Sequence, residues 1–408
     1  MSSMSNQANH PRTIGILTGG GDVPGLNPAI RAITIRAIRD GFRVIGIKNG
    51  WQGIIQIDPS KPLKDQEYCM VLDEVSVDRI GRTGGTFLHS SRTRADIVHY
   101  SDVPEHFAHI YKDEYNDLTP EAINNLKHIG IDYLIPIGGD DTLGYAHILH
   151  KKGIKIVAIP KTMDGDVPGT EYCIGFSTCV TRTIELTQSL RTSAGSHERF
   201  LVVEVFGRNA GFSALLPTVG GAADRCVIPE HQFDMELLTE LMVQDRRNNP
   251  SKYSVVLVSE GASFIGSDII YDEATTNAFG HKKLGGIGEI VSQQLKILSK
   301  KFNNGREINV INQKLGYLVR SGQPDALDTI VPTAYANLAL DLIRRGIFGR
   351  MVCIRDGQYS HISIDAVQKD EHGESVKKVN VEKFYDTNQY RPKYDYIIGE
   401  PMMILTRD

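Results

Sequence analysis

Residues 13–47 read TIGILTGGGDVPGLNPAIRAITIRAIRDGFRVIGI, and this stretch predicts the fold class. The apolar, β-branched run Thr13–Thr18 precedes a glycine turn, and Arg43–Ile47 is a second such run. Between them, Asn27 as N-cap and Pro28 as the first helical residue predict a helix. A strand, a helix and another strand in this order indicate an α/β protein with parallel sheets covered by helices.

The same alternation continues along the chain. Further strands are predicted at Tyr133–Ile137, Ile154–Pro160, Phe200–Phe206 and Tyr253–Ser259. Helices are predicted from apolar residues at helical spacing, which are Val180, Ile184 and Leu190 in one segment and Ile287, Val291, Leu295 and Leu298 in another. Because ligands of such sheets bind at the carboxyl ends of the strands, functional residues are expected directly after strands.

Composition excludes several classes of function. A chain of 408 residues with 41% hydrophobic residues is long enough for two domains. A net charge of -4 provides no general attraction for nucleic acid or anionic lipid. The five cysteines form no C-x-x-C pair and no zinc-type spacing, and no membrane-length apolar segment occurs. A soluble, cytoplasmic protein that binds neither nucleic acid nor membranes is expected.

Two glycine-rich segments follow predicted strands and suit phosphate binding. In Thr18–Asp22, three glycines allow backbone amides to approach a phosphate at the start of a helix. In Gly138–Thr142, a carboxylate beside paired glycines suits Mg²⁺, which prefers few protein oxygens and phosphate. The alternatives are a strand-to-helix turn without a ligand for the first, and Asp140 or Asp141 as a helix N-cap for the second.

Two further segments carry charged groups. Pro160–Asp166, PKTMDGD, offers a carboxylate that could accept a hydroxyl proton during phosphoryl transfer and a lysine that could face the moving group. Phe206–Gly211, FGRNAG, contains one of several arginines able to hold a phosphate. A bare D-G-D is otherwise a common turn, and a single arginine is more often a solvated surface residue.

Taken together, the ordered motifs resemble those of the phosphofructokinase family. They are TGGGDVPGLNPAIR, GGTFLHSSR, IPIGGDDTL, IPKTMDGDVPGTEYCIGF, SAGSHER, EVFGRNAG, SEGA and LGYLVRSG. The resemblance implies two Rossmann-like α/β domains with the active site in the cleft between them. It places a larger phosphate-donor domain at 13–175 plus about 319–375, and a smaller sugar-phosphate domain at 176–318 plus about 376–408.

The resemblance also implies roles for particular residues. Asp164 matches the base that accepts the proton of the 1-hydroxyl of fructose 6-phosphate, and Asp140 matches the Mg²⁺ ligand. The remaining catalytic residues implied are Lys161, Asp141, Thr162 and Asp166. Donor phosphate binding is implied for Gly20, whose amide would meet the phosphate, and for Arg92, Asp141 and Lys161. Sugar phosphate binding is implied for Thr162, Asp164, Arg199, Gly207, Arg208, Asn209, Glu260, Tyr317 and Arg320.

Two positions favour pyrophosphate as the phosphoryl donor. Pyrophosphate-dependent relatives resemble GGDD and PKTIDND, which Asp141 and Lys161 reproduce, whereas ATP-dependent relatives commonly read GGDG and PGTIDND. A carboxylate at Asp141 would repel the next phosphate of ATP, and Lys161 would balance the concentrated charge of the smaller donor. Tyr317 supports the same choice, because ATP-type relatives usually place histidine there. With pyrophosphate the reaction is expected to be reversible.

Some residues depart from the family pattern. Gly165 replaces an asparagine and leaves room for a related acceptor such as sedoheptulose 7-phosphate. Ile311 replaces an arginine that crosses to a neighbouring subunit, with Lys314 or Arg306 as possible substitutes, and His89 stands where many relatives have glycine. The segment after Tyr385 is interpreted as a solvated tail rather than a phosphate clamp formed by Arg391 and Lys393.

Other functions remain as alternatives. They are an ATP-dependent 6-phosphofructokinase, a lipid or NAD kinase that shares the G-G-D turn, and a catalytically silent sugar-phosphate-binding subunit. Retention of the base Asp164 argues against the silent subunit. Relatives of this size are usually dimers or tetramers whose active sites borrow residues from a neighbour, so a homo-oligomer is expected.

Overall fold

The fold consists of two compact units, each built on its own sheet. A computed structural model describes residues 11–267, 271–276, 282–284, 286–367 and 376–394. Unit 1 comprises Met1–Pro160, Thr329–Cys353 and Tyr359–Gln368, and unit 2 comprises Lys161–Asp328, Ile354–Gln358 and Lys369–Asp408. The sequence-based division instead assigned residues up to 175 to the first domain, and its boundaries stay a prediction.

The strands and helices alternate as an α/β fold requires. The strands are β1 Thr13–Thr18, β2 Arg43–Ile47, β3 Cys69–Leu72, β4 Val98–His99, β5 Tyr115–Asn116, β6 Tyr133–Gly138, β7 Val157–Pro160, β8 Phe200–Val205, β9 Arg225–Val227, β10 Ser254–Ser259, β11 Tyr271–Thr276, β12 Lys282–Leu284, β13 Val310–Lys314, β14 Arg350–Arg355, β15 Gln358–Ser363, β16 Tyr385–Asp386 and β17 Arg391–Pro392. The helices are α1 Leu26–Arg39, α2 Gly50–Ile55, α3 Glu74–Val77, α4 Thr119–His128, α5 Asp140–Lys151, α6 Phe176–Ser196, α7 Phe212–Val219, α8 Met235–Asn248, α9 Ile287–Phe302, α10 Leu327–Arg344 and α11 Val381–Phe384.

Both sheets are mostly or wholly parallel, which confirms the predicted fold class. Unit 1 contains a seven-stranded sheet in the order β15-β14-β7-β6-β1-β2-β3, in which β3 pairs antiparallel to β2. Unit 2 contains a four-stranded parallel sheet in the order β13-β8-β10-β9. The central strands β1, β6, β8 and β10 are buried at every position, as strands covered on both faces must be.

The predicted strands are confirmed. β1 and β2 have the bounds predicted from the sequence, and β6, β7, β8 and β10 differ from the prediction only at their ends. The α9 stripe is also confirmed, because Ile287, Val291 and Leu295 are fully buried in the core of unit 2.

The start of α1 was predicted wrongly, whereas the helix predicted around residue 184 is confirmed as α6. The N-cap of α1 is Gly25, and the Asn27 side chain instead accepts a hydrogen bond from the Phe87 amide and donates to the Thr83 and Gly84 carbonyls. On α6, Ile184 and Leu190 of the predicted stripe pack against the core of unit 2. The fully buried residues of the helix are Thr178, Cys179, Thr183, Thr187 and Ala194. Threonine can be buried there because its hydroxyl donates to the carbonyl one turn back, as Thr183 does to Cys179 at 2.8 Å.

The described part of the segment after Tyr385, residues 386–394, is not a solvated tail, so that interpretation was wrong there. Tyr385 and Tyr390 are buried in the core of unit 2. The Tyr385 hydroxyl donates to the Cys226 carbonyl at 2.7 Å, and the Cys226 amide donates to the Tyr390 carbonyl at 2.8 Å. The burial of these two aromatic rings explains why the segment packs against the core. Charged residues such as Arg391 did not indicate this packing in the sequence. Residues 395–408 lie outside the described residues.

A buried carboxylate fixes the start of α6. Asp328 is fully buried and accepts hydrogen bonds from the Tyr172 hydroxyl at 2.6 Å, the Gly175 amide at 2.7 Å, and the Thr178 amide and hydroxyl at 2.8 and 2.6 Å. Burial raises the pKa of Asp328 to about 6, although the hydrogen bonds oppose this shift. The carboxylate therefore ties α6 and its preceding loop to the start of α10.

Replacing Asp328 by Asn is expected to lower the free energy of unfolding by about 1–3 kcal/mol. The NH2 group of asparagine would replace a carboxylate oxygen that now accepts hydrogen bonds from buried N–H and O–H groups. Since the pKa of Asp328 in the folded chain lies above its ordinary 3.8, its protonation adds stability as the pH falls from about 6 toward 4. The loss in D328N should therefore be larger at pH 5 than at pH 8. Urea unfolding at both pH values measures this, with the exposed Asp113→Asn as the control; equal loss at both pH values would contradict it.

Candidate active site

The first candidate cluster lies in unit 1, where the strand order reverses between β1 and β6. The chain leaves β1 toward β2 on one side, and β6 lies on the other. Such a reversal leaves a crevice at the carboxyl ends of the two strands, where ligands bind. Gly19 directly follows β1, and its amide donates to the Ile137 carbonyl of β6 at 2.9 Å. The two predicted phosphate-binding segments therefore lie side by side.

A single side chain explains the glycines at this point. Thr142, in the first turn of α5, lies so close to Gly19 and Gly138 that a Cβ atom at either glycine would overlap its side chain. The glycines are thus required by close packing, whether or not a ligand binds.

The Gly20 amide, predicted to meet the donor phosphate, has a hydrogen-bond partner within the chain. It donates to the Ser91 carbonyl at 2.8 Å, and the Ser90 hydroxyl donates to the Gly20 carbonyl at 2.6 Å. The loop 84–92 lies against the glycine turn and uses this donor. The same contacts bring Arg92, which is exposed, next to the turn.

Asp140 and Asp141 form the first turn of α5. The N-cap of this helix is Gly139, with no side-chain hydrogen bond, so neither aspartate acts as the cap. Asp140 is exposed, and the Asp141 side chain is 56% exposed. Both carboxylates are therefore directed to solvent at the positive end of a helix, a position favourable for acidic residues.

The sequence analysis missed one cation in this cluster. Arg94 forms a paired ion contact with Asp96 at 2.7 Å, and its second terminal nitrogen lies 3.9 Å from Asp141. The charges of Asp96, Asp141 and Asp140 raise the pKa of Arg94 against its partial burial. No motif singled out Arg94, because its partner Asp141 is distant in sequence.

The second candidate cluster lies in unit 2, at the carboxyl ends of three neighbouring strands. The Glu260 amide donates to the Val205 carbonyl at 2.9 Å, and the Gly261 amide donates to the Gly207 carbonyl at 3.1 Å. On the other side of β8, the Leu315 amide donates to the Glu204 carbonyl at 3.0 Å. The loops after β8, β10 and β13 are thereby linked.

These three loops carry most of the predicted sugar phosphate residues. Arg208 and Asn209 are exposed, and Tyr317 is 75% exposed in a turn of 3-10 helix, Gly316–Val319. Arg320 is buried, and its guanidinium lies 5.5 Å from the centre of the Tyr317 ring. Exposed hydrogen-bonding groups beside a fixed arginine suit a phosphorylated sugar.

The D-G-D segment belongs to the same cluster. The Asp164 amide donates to the Thr162 hydroxyl at 3.2 Å, and the Asp166 carbonyl accepts from the Lys377 amide at 2.8 Å. Gly165 has φ +70°, and the Phe176 ring lies where a side chain would begin, 3.0 Å from a Cβ. Lys161, at the start of the segment, is buried. The C-terminal segment thus helps to hold this loop, a contact that no sequence signal indicated.

Asp164 occupies an unusual electrostatic position in unit 2. Its Oδ1 atom is shielded from solvent, and no hydrogen bond to that atom occurs in the described part of the chain. Burial raises the pKa of Asp164 well above its ordinary value, the charges of Asp166 and Glu260 raise it further, and Arg320 and Arg208 oppose the shift. A shielded carboxylate oxygen near two arginines is suited to accept a proton from a bound hydroxyl.

Arg199 does not join this cluster. It precedes the first residue of β8, whereas Gly207 follows the last, and a six-residue strand separates them by about 20 Å. Arg199 is half-buried, and among the described residues its Nε atom has no hydrogen-bond partner. The resemblance of SAGSHER to a family motif predicted Arg199 as a sugar phosphate residue. Because Arg199 precedes β8, it lies at the opposite end of the sheet from this cluster.

The backbone conformation of His89 is explained by a contact with β1. Its backbone has φ +57°, a left-handed conformation that glycine adopts more easily, and its carbonyl accepts a hydrogen bond from Thr18 at 2.7 Å. The conformation follows from this contact with the end of β1.

Comparison with known proteins identifies the family of this chain. The sequence model of the family described as Phosphofructokinase matches residues 13–343. The chain belongs to the phosphofructokinase family. Phosphofructokinases of this kind are phosphotransferase enzymes, and the chain is one of them.

Its relatives carry two kinds of name. An ATP-dependent 6-phosphofructokinase 3 of Streptomyces coelicolor is 35% identical over 87% of this chain and 94% of that protein. A pyrophosphate–fructose 6-phosphate 1-phosphotransferase of Amycolatopsis methanolica is 37% identical over 84% of this chain and 90% of that protein.

A solved phosphofructokinase shares the fold. The pyrophosphate-dependent phosphofructokinase of Marinobacter aquaeolei has a TM-score of 0.68 and 20% identity over 94% of this chain and 89% of that one. Within the described residues, no group of three or more His, Cys, Asp or Glu side chains is arranged to hold a metal ion. The same residues include no helix long and apolar enough to cross a membrane.

The packing at Thr142 can be tested by replacing one glycine on each side of it with alanine. Gly138→Ala should lower the free energy of unfolding by about 1–3 kcal/mol, because its Cβ would overlap Thr142. Gly144→Ala, in α5, meets nothing within 4 Å and should raise stability by about 0.5–1 kcal/mol. Thermal and urea unfolding measure both, and equal effects of the two alanines would refute the packing argument.

Proposed function

We propose that this chain transfers a phosphoryl group from pyrophosphate to the 1-hydroxyl of fructose 6-phosphate, giving fructose 1,6-bisphosphate and phosphate. The observation that carries the acceptor half is Asp164, whose shielded Oδ1 lies in the electrostatic field of Arg320 and Arg208. The names of the two relatives described above contain the words phosphofructokinase and fructose 6-phosphate, respectively. ATP as the donor is the alternative.

In this proposal the residues of unit 2 bind and activate the acceptor. Arg208, Asn209, Tyr317 and Arg320 hold the sugar phosphate, together with Gly207, whose backbone carries the turn. Glu260 accepts a hydrogen bond from a sugar hydroxyl, Asp164 accepts the proton of the 1-hydroxyl, and Thr162 and Asp166 position it. Lys161 provides positive charge for the transferring group.

The residues of unit 1 serve the donor in the same proposal. Arg92 and Asp141 contact the donor phosphates, and Gly20 shapes the turn beneath them. A single exposed carboxylate fits Mg²⁺, because this ion takes one or two protein carboxylates and otherwise phosphate oxygens and water; Asp140 meets this requirement. Bound Mg²⁺ would neutralise charge on the donor. Transfer is in line, and the cations offset the charge that develops.

The choice of pyrophosphate rests on Asp141. Its carboxylate is exposed at the first turn of α5 and lies near Arg94. A donor with a third phosphate would bring further negative charge to this carboxylate, whereas pyrophosphate ends earlier. Relatives with either donor in their names match the chain about equally well, so the donor follows from single residues rather than from overall similarity.

Arg199 has a separate place in this proposal. Because it lies at the far end of β8, we infer that it contributes to the acceptor site of a second copy in a homo-oligomer. Its half-buried guanidinium, with an Nε that lacks a partner among the described residues, supports a contact outside the chain.

The donor is tested by the initial rate of fructose 1,6-bisphosphate formation with pyrophosphate or ATP at matched concentrations. The wild type should turn over faster with pyrophosphate. Asp141→Gly should shift the ratio of kcat/KM values toward ATP by about 10-fold or more, because it removes the carboxylate that repels the third phosphate of ATP. A factor of ten corresponds to about 1.4 kcal/mol.

Two controls separate the causes of that shift. Asp141→Asn removes the charge and keeps the size of the side chain. Glu121→Gln removes an acidic residue from the first turn of α4, which tests loss of helix-end charge alone and should leave the ratio unchanged. Faster turnover of the wild type with ATP would overturn the donor assignment.

The base is tested by the pH dependence of kcat. Because the charge of Asp166 raises the pKa of Asp164, Asp166→Asn should let Asp164 ionise at lower pH. The acid limb of kcat should therefore move to lower pH. Asp164→Asn should abolish this limb and lower kcat by about 10²–10⁴-fold. An acid limb unchanged in D166N, or nearly full activity in D164N, would argue against Asp164 as the base.

A further inference from the structure

A short C-terminal stretch, residues 377–379, contacts two loops of unit 2 that are distant from it in sequence, and we call it the bridge segment. The first is the loop between β7 and α6, which carries Asp164. The Lys377 amide donates to the Asp166 carbonyl of this loop at 2.8 Å, and Lys377 Nζ donates to the Thr170 carbonyl at 3.2 Å. The backbone and the side chain of one lysine therefore both hold the Asp164 loop.

The same lysine contacts the turn that carries Arg208. Phe212 is the first residue of α7 and directly follows this turn. Lys377 Nζ lies 5.2 Å from the centre of the Phe212 ring, a distance at which a cation is attracted to the negative face of the ring. The ammonium group thus has one partner at each of the two loops.

Glu230 adds a second connection between the bridge segment and the Arg208 turn. Its Oε1 atom accepts a hydrogen bond from the Val379 amide at 2.7 Å. Both of its carboxylate oxygens also accept from the amide of Gly211, the last residue of the turn, at 3.0 and 3.1 Å. A Cβ atom at Gly211 would overlap Ile228 and crowd Glu230, so glycine is needed for this close approach.

The bridge segment is itself anchored in the core. The Val379 side chain is 4% exposed and belongs to the hydrophobic core of unit 2. The next residue, Asn380, accepts a hydrogen bond from the Lys383 amide at 2.9 Å and caps α11. A segment fixed in this way can act as a rigid support for the two loops that it contacts.

The spacing of the two loops is important for the proposed reaction. The Arg208 turn holds the sugar phosphate in that proposal, and Asp164 must reach the 1-hydroxyl of the same molecule. General base catalysis requires hydrogen-bond distance between base and hydroxyl, so the distance from the base to the phosphate-binding turn must match the length of the sugar.

We propose that Lys377 is a positioning residue of the acceptor site: together with Glu230, it fixes the Asp164 loop and the Arg208 turn at the spacing that one sugar phosphate requires. This inference rests on the proposed function, because it takes both loops to bind fructose 6-phosphate. It goes beyond that function in making catalysis depend on a C-terminal segment that carries none of the proposed site residues.

The test compares Lys377→Met with Lys377→Arg. Lys377→Met keeps the length of the side chain but removes its charge and its donors, so both loops lose a contact. It should lower kcat about 10–100-fold, since misplacement by about 1 Å can cost this much. The KM of fructose 6-phosphate should rise, whereas the KM of pyrophosphate should not change. Lys377→Arg should restore kcat, because a guanidinium group also donates hydrogen bonds and stacks on aromatic rings.

Two further variants serve as control and as independent check. Lys383→Met removes an exposed lysine of α11 that lies 4.8 Å from the centre of the Phe384 ring, which is the same kind of contact without either loop. It should leave kcat and both KM values unchanged. Glu230→Gln keeps the shape of the side chain and removes one acceptor, so it should reproduce the rise in the KM of fructose 6-phosphate even if Lys377→Met does not fold.

Amide hydrogen exchange tests the bridge segment without any substrate. Lys377→Met should speed exchange both in residues 162–166 and in residues 207–211, because both loops lose a contact that restrains local opening. Lys383→Met should change neither. Faster exchange in only one of the two loops would contradict the inference.

The kinetic outcomes distinguish this inference from the proposed function. Calorimetry of the wild type with fructose 6-phosphate comes first, and failure to bind would overturn the proposed function itself. If the wild type binds, but Lys377→Met lowers only the melting temperature and leaves kcat and both KM values as in the wild type, the inference is wrong while the function stands. Equal rises in the KM values of fructose 6-phosphate and pyrophosphate would also refute it.

Discussion

The parallel pairing of β8 with β10 and β13 is the constraint on which the candidate cluster of unit 2 depends. Because the three strands run in one direction, their carboxyl ends meet at the same edge, and the loops that follow are linked by backbone hydrogen bonds such as that from Gly261 to Gly207. The same constraint excludes Arg199, which precedes β8. Strand direction therefore decides which side chains of this unit act together.

Charge burial is the second constraint. Asp164, Asp166, Glu260 and Glu204 are brought together by the fold, and isolated ionised carboxylates are costly to bury. Arg320, Arg208 and Lys314 offset this charge, as their opposing effects on the pKa values of Asp164 and Glu260 indicate. The same balance leaves the pKa of Asp164 raised, and in the proposed function a raised pKa favours uptake of the hydroxyl proton by this carboxylate.

Family membership and donor choice rest on different amounts of sequence. Family membership follows from a match over residues 13–343 and is independent of any one side chain. In the proposed function, donor choice depends on a few groups, among them Asp141 and the neighbouring Arg94, because relatives with either donor in their names are similarly close. Electrostatic repulsion acts over a few ångströms, so one carboxylate can change the donor without changing the fold.

The strands, the α/β class and the family could be predicted from the amino-acid sequence, because β-branched runs, glycine turns and ordered motifs are local signals. Strands such as Thr13–Thr18 appear with the bounds predicted from the sequence. Contacts between residues far apart in sequence became visible only in the folded chain. The Asn27 side chain accepts a hydrogen bond from the Phe87 amide, Arg94 approaches Asp141, and Lys314 pairs with Glu204. Hydrogen bonds and ion pairs require proximity in space, and spacing along the chain does not encode it.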